Sequence, residues 1–533
     1  MAKKLKGTLD FETDPFKHGR IPVPFASCIY FSEDDNQVIW SEKDCAKKTY
    51  RSICKLPKCE LYAHNGGKFD FWFLLPYIDH QDIMIINGRI AKLQINDVTL
   101  IDSYLLIAEP LDKYQKTKIN YKLFESDKRH KHKTRIVNYL IDDCRFLLEL
   151  LNGFHSILSK KLTIGSAAIQ EIKNSGVKII RQGRAHDTLF RPFFMGGRTE
   201  AIEIGEHVFT KKKPGFIIDI NSAYAHAMTH FHPHGKNYRE SKKLPKSKNG
   251  AWFADIDAIS NGALALKSDK GELTFPRGGM HTFHATGWEI NAGLKQKKLI
   301  IKKIHRVLVP EKVINFDLFV RHHYTKRQEA KNRKDKIADL VHKKVGNSGY
   351  GKLALDPNKF YDWTICEIGV DPREFEDGEN YEWYADIMDK SLWRRPASEN
   401  EKEQAFYDVA TAASITGFVR AKVFVGLSTV QKPMYCDTDS IFCASTENMG
   451  ISEKELGAWK IEAQLQDLLV VAKKIYAATT LDGKTKTASK GARLDAIQIR
   501  KLWKRGEITW KNPAPTFSLK KGAWFIERKI KIR

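Results

Sequence analysis

Two aspartates stand close together in the stretch MYCDTDSIF, which runs from Met434 to Phe442. Asp437 and Asp439 lie between two short apolar runs that favour β-strand. Aspartate is common in turns because its side chain bonds its own backbone two residues on, so a hairpin turn alone can account for the pair. Carboxylate oxygens are also the ligands that Mg²⁺ prefers. The pair is therefore either an acidic turn or part of a metal site, and other residues must decide between the two.

Four more carboxylates of interest belong to three motifs in the first 150 residues. In LDFETDP, Asp10 and Glu12 are two apart, and the two-residue period of a strand places both side chains on one face. Asp70 follows in HNGGKFDFW, and Asp143 follows in YLIDD, four residues after Tyr139 on one face of a predicted helix. Such carboxylates, if gathered together, repel one another unless divalent cations lie between them. The pattern predicts two-metal phosphodiester cleavage, in which Tyr139 could orient the attacking water.

A second set of residues lies downstream. Asp219 ends an apolar strand in KPGFIIDINSAYAHAM, residues 213–228. In KKVGNSGYGK, Lys343, Asn347 and Tyr350 fall at i, i+4 and i+7, so they share one helical face. A cation, an amide and an aromatic ring on one face could bind a nucleoside triphosphate. The alternative is a capped helix end, because three glycines lie nearby and weaken the helix.

These motifs resemble those of the family-B DNA polymerases, and most closely those of the compact, protein-primed branch of phages and linear plasmids. DFET, HNGGKFD and YLIDD are similar to the three proofreading-exonuclease motifs, and DINSAY, KKVGNSGYG and YCDTDS to polymerase motifs A, B and C. KIY, residues 474–476, resembles the K-x-Y motif that holds the primer end. The motifs come in the family's order. The resemblance implies an α/β multidomain fold, with a ribonuclease-H-like 3′–5′ exonuclease domain followed by a right-hand polymerase with palm, fingers and thumb.

The resemblance also implies a role for each matching residue. In the polymerase site, two Mg²⁺ ions, or Mn²⁺ in their place, would be held by Asp219 and Asp439, with Asp437 beside them. In the exonuclease site, the two metal ions would be held by Asp10, Glu12, Asp70 and Asp143. Substrate binding in the polymerase would fall to Tyr224, Arg327, Lys331, Lys343, Asn347, Tyr350, Lys474 and Tyr476. The unwound 3′ end would be held by Thr13, His64, Asn65 and Phe69. Tyr224 would also exclude a 2′-hydroxyl group.

The chain departs from the family pattern in places. Motif A has Ala225 after Tyr224, where the family has proline. The Y-x-G-G motif that links exonuclease and palm reads FMGG, with Phe194 in place of tyrosine, so one hydroxyl group is missing. The family's exonuclease lysine is not identified by the pattern, and either Lys128 or another lysine could supply it.

The composition favours a polyanionic partner. Of 533 residues, 89 are Lys or Arg and 64 are Asp or Glu, which gives a formal charge of +25. No apolar run of about 18 residues predicts a membrane span, and the basic N-terminus lacks the apolar core of a signal peptide. The eight cysteines lack the spacing of a zinc site and suit reduced thiols in a reducing compartment.

Local patterns predict the elements that would position these residues. YLIDDCRFLLELLNG predicts a helix that ends at Gly153, and residues 320–355 predict one long basic helix. Residues 355–400 are predicted to form an aromatic and acidic loop region. The predicted boundaries are exonuclease 1–160, N-terminal palm 161–318 with room for a small insertion at 230–318, fingers 319–354, an insertion resembling the template-encircling, strand-displacement subdomain at 355–404, C-terminal palm 405–476 and thumb 477–533.

The leading interpretation is a processive, strand-displacing replicative DNA polymerase of a phage or mobile element with proofreading. It would act as a monomer on template-primer DNA and dNTPs in the host cytoplasm, away from membranes. Protein priming would add a terminal protein as a partner, but DNA-primed and primer-independent relatives share the same motifs, so the initiation mode stays open. A DNA-binding nuclease with a decayed polymerase site is the alternative of a different class. The intact Asp219, Lys343, Tyr350, Asp437 and Asp439 argue against decay.

Overall fold

The structure is a computed structural model that describes residues 5–17, 20–78, 83–374, 380–511, 516–518, 522–524 and 526–532. Its N-terminal part contains seven strands and three helices. These are β1 (Leu5–Thr13), β2 (Pro24–Tyr30), β3 (Asn36–Trp40), α1 (Cys45–Ile53), β4 (Cys59–Ala63), β5 (Ile83–Ile86), β6 (Arg89–Ile95), β7 (Val98–Asp102), α2 (Tyr104–Ile107) and α3 (Lys133–Ile157).

The seven strands form one mixed sheet in the order β3-β2-β1-β4-β7-β6-β5. β1 pairs antiparallel with β2 and parallel with β4, and β4 pairs parallel with β7. This order agrees with the predicted ribonuclease-H-like domain. α3 packs against β1 and β2 through residues that include Tyr139 and Cys144.

α3 does not end at Gly153, where the sequence predicted its end, but continues to Ile157. The glycine serves close packing instead of termination, because a Cβ atom at Gly153 would collide with the side chain of Ile337. Since a helix tolerates a glycine at a cost of about 1 kcal/mol, this contact explains the exception.

The next part of the chain begins the palm and then leaves it. Its first elements are α4 (Ile164–Asn174), α5 (Arg184–Phe190), β8 (Arg198–Ala201), β9 (Gly205–Val208), β10 (Gly215–Ile220) and α6 (Ala223–Met228). A four-stranded antiparallel sheet, in the order β11-β16-β12-β15, then fills the predicted insertion. The four strands are β11 (His232–Ser241), β12 (Phe253–Asn261), β15 (Arg277–Thr286) and β16 (Leu299–Ile314). The same region contains a separate two-stranded sheet of β13 (Leu266–Lys267) and β14 (Leu273–Thr274), and the helix α7 (Gly287–Lys295).

The region predicted to be the fingers forms two helices, α8 (Asp317–Asn332) and α9 (Lys336–Leu353), and not the single helix that was predicted. The chain turns at Lys334, whose φ of 60° lies in the left-handed region. The side chain of Asp335 then caps α9 by accepting a hydrogen bond from the amide of Ala338. The two helices pack against each other as a hairpin.

The region predicted as loop contains a three-stranded antiparallel sheet in the order β17-β19-β18. Its elements are β17 (Tyr361–Glu367), β18 (Glu382–Ile387), β19 (Lys390–Pro396) and the helix α10 (Glu399–Gln404). Ile365 and Leu392 of this sheet are buried in the core of the exonuclease domain. Insertion and exonuclease domain therefore share one core.

The last part of the chain contains the regions predicted to be the C-terminal palm and the thumb. The elements are α11 (Val409–Thr429), β20 (Gln431–Thr438), β21 (Ser440–Ser445), β22 (Trp459–Ala472), β23 (Ile475–Thr480), β24 (Thr485–Ser489), α12 (Ala496–Arg505), β25 (Glu507–Lys511), β26 (Thr516–Ser518), β27 (Gly522–Trp524) and β28 (Glu527–Lys531). The palm sheet has the order β24-β23-β22-β10-β21-β20-β8, with β9 beside β22. It runs on to Ser489, so the boundary predicted after residue 476 falls inside a strand.

α11 is long and apolar enough to cross a membrane by length and composition, although the sequence predicted no span. In the fold, 83% of its apolar window is buried. It packs against α6, α7, α9 and β11, and its residues Ile415 and Val423 belong to a cluster of buried apolar residues. The helix therefore fits the role of a buried core helix.

Candidate active sites

The exonuclease-domain carboxylates meet at one end of the sheet. Asp10, Glu12 and Asp143 each place a ligand oxygen within 4.8 Å of the others. Asp10 and Glu12 share the face of β1, and α3 brings Asp143 across from them. Asp70 begins a short 3₁₀-helix beside them, where its carboxylate accepts a hydrogen bond of 3.2 Å from the amide of Phe11. All four predicted ligands thus line one cleft of about 1140 Å³.

The donor set suits a divalent cation. Oδ1 of Asp143 is buried and has no hydrogen-bond partner in the part of the chain that the structure describes. Its other oxygen lies 3.1 Å from the ammonium of Lys116. A buried carboxylate oxygen without a donor is costly unless a cation or water satisfies it. An all-oxygen cluster of this charge fits a hard divalent ion.

Lys116 is a residue that the sequence did not single out. Lys128 is exposed and does not line the cleft, whereas Lys116 does. Its ammonium also lies 5.4 Å from the centre of the Tyr139 ring. Although burial alone would lower it, the carboxylate of Asp143 raises the pKa of Lys116. Lys116 is therefore a lysine that the geometry brings into contact with the exonuclease carboxylates.

Burial and mutual repulsion act on the four carboxyl groups. Burial, and then the charge of Asp70, raises the pKa of Asp10. Burial and the charge of Asp143 raise the pKa of Glu12. Burial raises the pKa of Asp70 to about 7. Without a cation, the cluster therefore holds protons near neutral pH.

Metal binding at this cluster should consequently depend on pH. Because folding raises the pKa of these carboxyl groups, their protonation stabilises the metal-free protein, and this stabilisation is fully present when the pH is below the ordinary carboxyl pKa of about 4. That stability is lost as the pH rises through the pKa of Asp70, about 7. A cation must displace the protons, so MgCl₂ should raise the melting temperature more at about pH 8 than at about pH 6, relative to EDTA. A protein carrying Asp10→Asn and Glu12→Gln should lose most of this difference; equal stabilisation of the wild type at both pH values would contradict the expectation.

Three of the four residues predicted to hold the unwound 3′ end line the same cleft: His64, Asn65 and Phe69. Burial lowers the pKa of His64 to about 4, so the ring is neutral. Phe69 contacts Phe73, with ring centres 5.1 Å apart. Thr13 is buried outside the cleft lining, and its hydroxyl donates to the carbonyl of Asp14.

The polymerase aspartates lie on β10 and on the neighbouring β20–β21 hairpin. β10 carries Asp219 and pairs with β21, so that the amide of Ile220 donates to the carbonyl of Asp439 over 3.0 Å. Asp437 and Asp439 flank Thr438, whose φ of 62° forms the turn between β20 and β21. The hairpin predicted from MYCDTDSIF is therefore present, and it stands next to Asp219.

The two aspartates of the turn have different surroundings. The carboxylate of Asp437 accepts hydrogen bonds from Lys474 and from the hydroxyls of Thr199 and Thr438, the latter two at 3.1 Å. The carboxylate of Asp439 has no hydrogen bond or ion pair with any other described residue. Burial, and then the charge of Asp219, raises the pKa of Asp439 to about 7.

Lys460 is a second residue that the sequence did not single out. It pairs with Asp219 across β10 and β22, and its ammonium lies 3.4 Å from that carboxylate. Burial, and then repulsion from Arg327, lowers the pKa of Lys331, and Lys460 and Lys343 add to the effect. The fingers cations thus converge toward the carboxylate end of the palm. Arg327 is held by an ion pair of 2.8 Å to Asp339.

The predicted nucleotide face of α9 is open toward the palm. Lys343 and Asn347 are exposed, and Tyr350 is half-buried. The rings of Tyr350 and Tyr224 stack at 4.3 Å with an angle of 7° between their planes. The charge of Asp439 acts on both phenols, and burial is the main cause that raises the pKa of each. The stacked pair therefore lies between the turn and the fingers.

The K-x-Y residues lie on the other side of the turn. The amide of Lys474 donates to the hydroxyl of Tyr435 over 3.1 Å, and its ammonium reaches Asp437. The ring of Tyr476 packs against Tyr435 and Phe442, with centres 5.1 and 5.0 Å apart. Both predicted primer-end residues are therefore joined to the aspartate turn.

Comparison with known proteins decides the family. Residues 110–455 match the family described as DNA polymerase type B, organellar and viral. A DNA-directed DNA polymerase of Enterobacteria phage PRD1 is 33% identical over 98% of this chain and 97% of its own length. The chain belongs to the type B DNA polymerases. This confirms the predicted resemblance to family B and its phage branch, and the assignment of the chain as a DNA-directed DNA polymerase.

Two further comparisons agree with this assignment. A probable DNA polymerase of Agaricus bitorquis is 22% identical over 79% of this chain and 64% of its own length. The structure of Phi29 DNA polymerase complexed with primer-template DNA and incoming nucleotides covers all of both chains with a TM-score of 0.71, at 16% identity. At that identity the likeness concerns the fold, and it confirms the predicted order of an exonuclease domain followed by a right-hand polymerase.

Proposed function

We propose that this type B polymerase adds dNTPs to a primer between the β20–β21 turn and α9, and removes mispaired ends in the exonuclease cleft. The observation that supports this site of synthesis is the environment of the Asp439 carboxylate. This carboxylate lies beside Asp219, has no partner among the described residues and is kept from ionising freely by burial. A carboxylate in that condition is suited to a cation and not to a structural ion pair.

Mg²⁺ is the proposed cation in both sites, with Mn²⁺ as a substitute, because the available ligands are carboxylate oxygens. When bound, two such ions supply a Lewis acid for the attacking oxygen and charge neutralisation for the leaving oxygen. In the palm, Asp219 and Asp439 would hold them. Asp437 would act as an accessory group, because Lys474 and two hydroxyls already donate to one of its oxygens, Oδ1.

The fingers would bind the nucleotide. Lys343, supported by Lys331 and Arg327, presents positive charge for a triphosphate. Asn347 and Tyr350 would pack on the nascent base pair. The ring of Tyr224, stacked on Tyr350, would lie under the sugar and leave no room for a 2′-hydroxyl.

Replacing Tyr224 by valine should admit ribonucleotides. The smaller side chain leaves space at the sugar, so discrimination between dNTP and rNTP, measured as the ratio of kcat/KM, should fall by about tenfold to a hundredfold. Tyr224→Phe keeps the ring and should keep the discrimination within about threefold of wild type. Unchanged discrimination in Tyr224→Val would place the sugar elsewhere.

Extension and excision of the primer would use different residues. Lys474 and Tyr476 would position the primer terminus for extension, next to the turn that they contact. For excision, His64, Asn65 and Phe69 would hold the frayed end, and Thr13 would support the strand from behind the cleft. The cleft carboxylates would hold the cations, with Tyr139 and Lys116 beside the water and the phosphate.

The proposed mode of replication is processive, strand-displacing and protein-primed, in the cytoplasm of a host cell. The β17–β19 insertion shares a core with the exonuclease domain, which supports a closed path around the template. Phi29 DNA polymerase was captured with primer-template DNA and nucleotides, which supports the same partners for this chain, and we expect it to act as a monomer. The terminal protein remains a proposed partner, because DNA-primed and primer-independent initiation would use the same residues.

Two assays test these proposals. Extension of a primed template with dNTPs and Mg²⁺ tests synthesis, and degradation without extension would favour the nuclease interpretation. Incubation of labelled dNTP with a candidate terminal protein tests initiation. Transfer of one nucleotide to a Ser, Thr or Tyr hydroxyl of that protein is the expected result. Synthesis on a bare circular template without any primer would exclude the need for it.

A further inference from the structure

An ion pair joins the fingers to the wall of the exonuclease cleft. Nζ of Lys344 on α9 lies 2.6 Å from Oε1 of Glu109 and donates to the carbonyl of Ala108 over 3.2 Å. The two charged side chains are only 19% and 21% exposed. Lys344 directly follows Lys343, the proposed triphosphate ligand, on the same helix. The nucleotide helix therefore touches the exonuclease domain one residue away from its proposed substrate contact.

The segment that Lys344 holds bears directly on the cleft. The carbonyl of Glu109 is 2.9 Å from Nε2 of His64, which lines the cleft for the 3′ end. Beyond Glu109, the chain forms one wall of the cleft and brings Lys116 to Asp143. A shift of Glu109 would thus move both the residues proposed to hold the strand end and the lysine that contacts the carboxylates.

The backbone at this contact needs an external restraint. Ala108 has a φ of 50°, in the left-handed region where non-glycine residues are uncommon. Such a conformation persists only where its surroundings hold it. Lys344 supplies one of these restraints by bonding the Ala108 carbonyl. The start of α9 is also fixed to the exonuclease domain, where Ile337 packs against Gly153 of α3.

We propose that Glu109 is a positioning residue through which the fingers helix holds the exonuclease cleft in its working shape. Binding of a nucleotide at Lys343 and binding of a frayed strand at His64 would then be coupled through the Lys344–Glu109 pair. By linkage, any change that one ligand makes to the affinity of the other is reciprocal. This inference rests on the two activities proposed above.

The test uses full-length protein and three assays. Lys344→Met should raise the KM for excision of a single-stranded oligonucleotide by about three- to fivefold, the scale of a partly exposed ion pair, with a smaller effect on kcat. Extension at saturating dNTP should stay within about twofold of wild type. On a labelled primer-template, the dNTP concentration at which net degradation gives way to net extension should fall by a similar factor.

Matched variants separate positioning from general damage. Lys113→Met removes the other lysine of Glu109, which is 2.6 Å away on the same segment, and should leave the balance unchanged. Lys344→Arg keeps the positive charge and should keep the balance between degradation and extension at the wild-type value. Glu109→Gln should reproduce the effect of Lys344→Met, and the double variant should be no worse than either.

The outcomes distinguish this inference from the proposed function. A wild-type protein that neither excises nor extends would overturn the proposed function. A wild type that does both, together with an unchanged KM and balance point in Lys344→Met, would overturn the coupling alone. Equal effects of Lys344→Met and Lys113→Met would also overturn it, since only Lys344 lies on the fingers helix.

Discussion

Replacing Asp439 by asparagine is expected to slow primer extension by about 10³-fold, while excision of single-stranded DNA stays within about twofold of wild type. Asparagine keeps the size of the side chain but loses the charge that a cation needs. The carboxylate of Asp439 has no hydrogen bond or ion pair with another described residue, so the substitution breaks no contact between side chains. Steady-state extension of a primed template and excision of a 5′-labelled oligonucleotide measure the two rates.

Stability provides the control for this substitution. Since burial and Asp219 raise the pKa of Asp439 to about 7, the ionised carboxylate destabilises the metal-free protein above that pH. Asp439→Asn should therefore melt no lower than wild type in EDTA at about pH 8. A loss of extension combined with a lower melting temperature would point to unfolding and not to a lost ligand.

Asp437 is the matched comparison on the same turn. Its carboxylate accepts hydrogen bonds from Lys474, Thr199 and Thr438. Asp437→Asn should therefore slow primer extension by about ten- to a hundredfold, the range for groups that orient metal ligands. Equal losses in both variants would mean that the two aspartates act as equivalent ligands, against the inequality proposed from their surroundings.

The residues that could be predicted from the sequence are those fixed by a local period. Asp10 and Glu12 share a strand face, and Lys343, Asn347 and Tyr350 share a helical face, as their spacing requires. Which residues share a face is determined by their spacing over a few positions, so the local sequence is enough to predict it. The motifs then predicted which sites these faces would line.

Lys116 and Lys460 could not be found in this way, because pairing between distant segments places them. Lys460 reaches Asp219 only through the antiparallel register of β10 and β22. Lys116 reaches Asp143 because the segment before α3 folds back over the cleft. No local pattern distinguishes either of them from the many other lysines of this basic chain.

The missed elements have physical reasons as well. The β17–β19 sheet has exposed aromatic residues such as Trp383 and Tyr384, so it lacks the alternation of a half-buried strand. The break between α8 and α9 did have a signal, because Asp335 is a favoured N-cap residue. The basic run on both sides obscured it.

Replacing Asp143 by asparagine is expected to reduce excision by about 10³-fold and to leave extension at saturating dNTP within about twofold of wild type. The substitution removes a charge from the cluster with Asp10 and Glu12, whose ligand oxygens lie within 4.8 Å. It also frees Lys116 from its ion pair. The polymerase carboxylates belong to a different sheet, so they should not respond.

Asp142 is the control for Asp143, since it neighbours it on α3 but points elsewhere. Its oxygens accept hydrogen bonds from Arg145 at 2.6 Å and from Thr117 at 2.7 Å. The amide oxygen introduced by Asp142→Asn would still accept from Thr117, so this variant should excise within about threefold of wild type, the range of a minor surface change. If both variants lost excision equally, the loss would reflect the fit of α3 on the sheet. If Asp143→Asn lost excision and extension together, the two sites would not be separable, and the cleft could not be a proofreading site that works beside an independent palm.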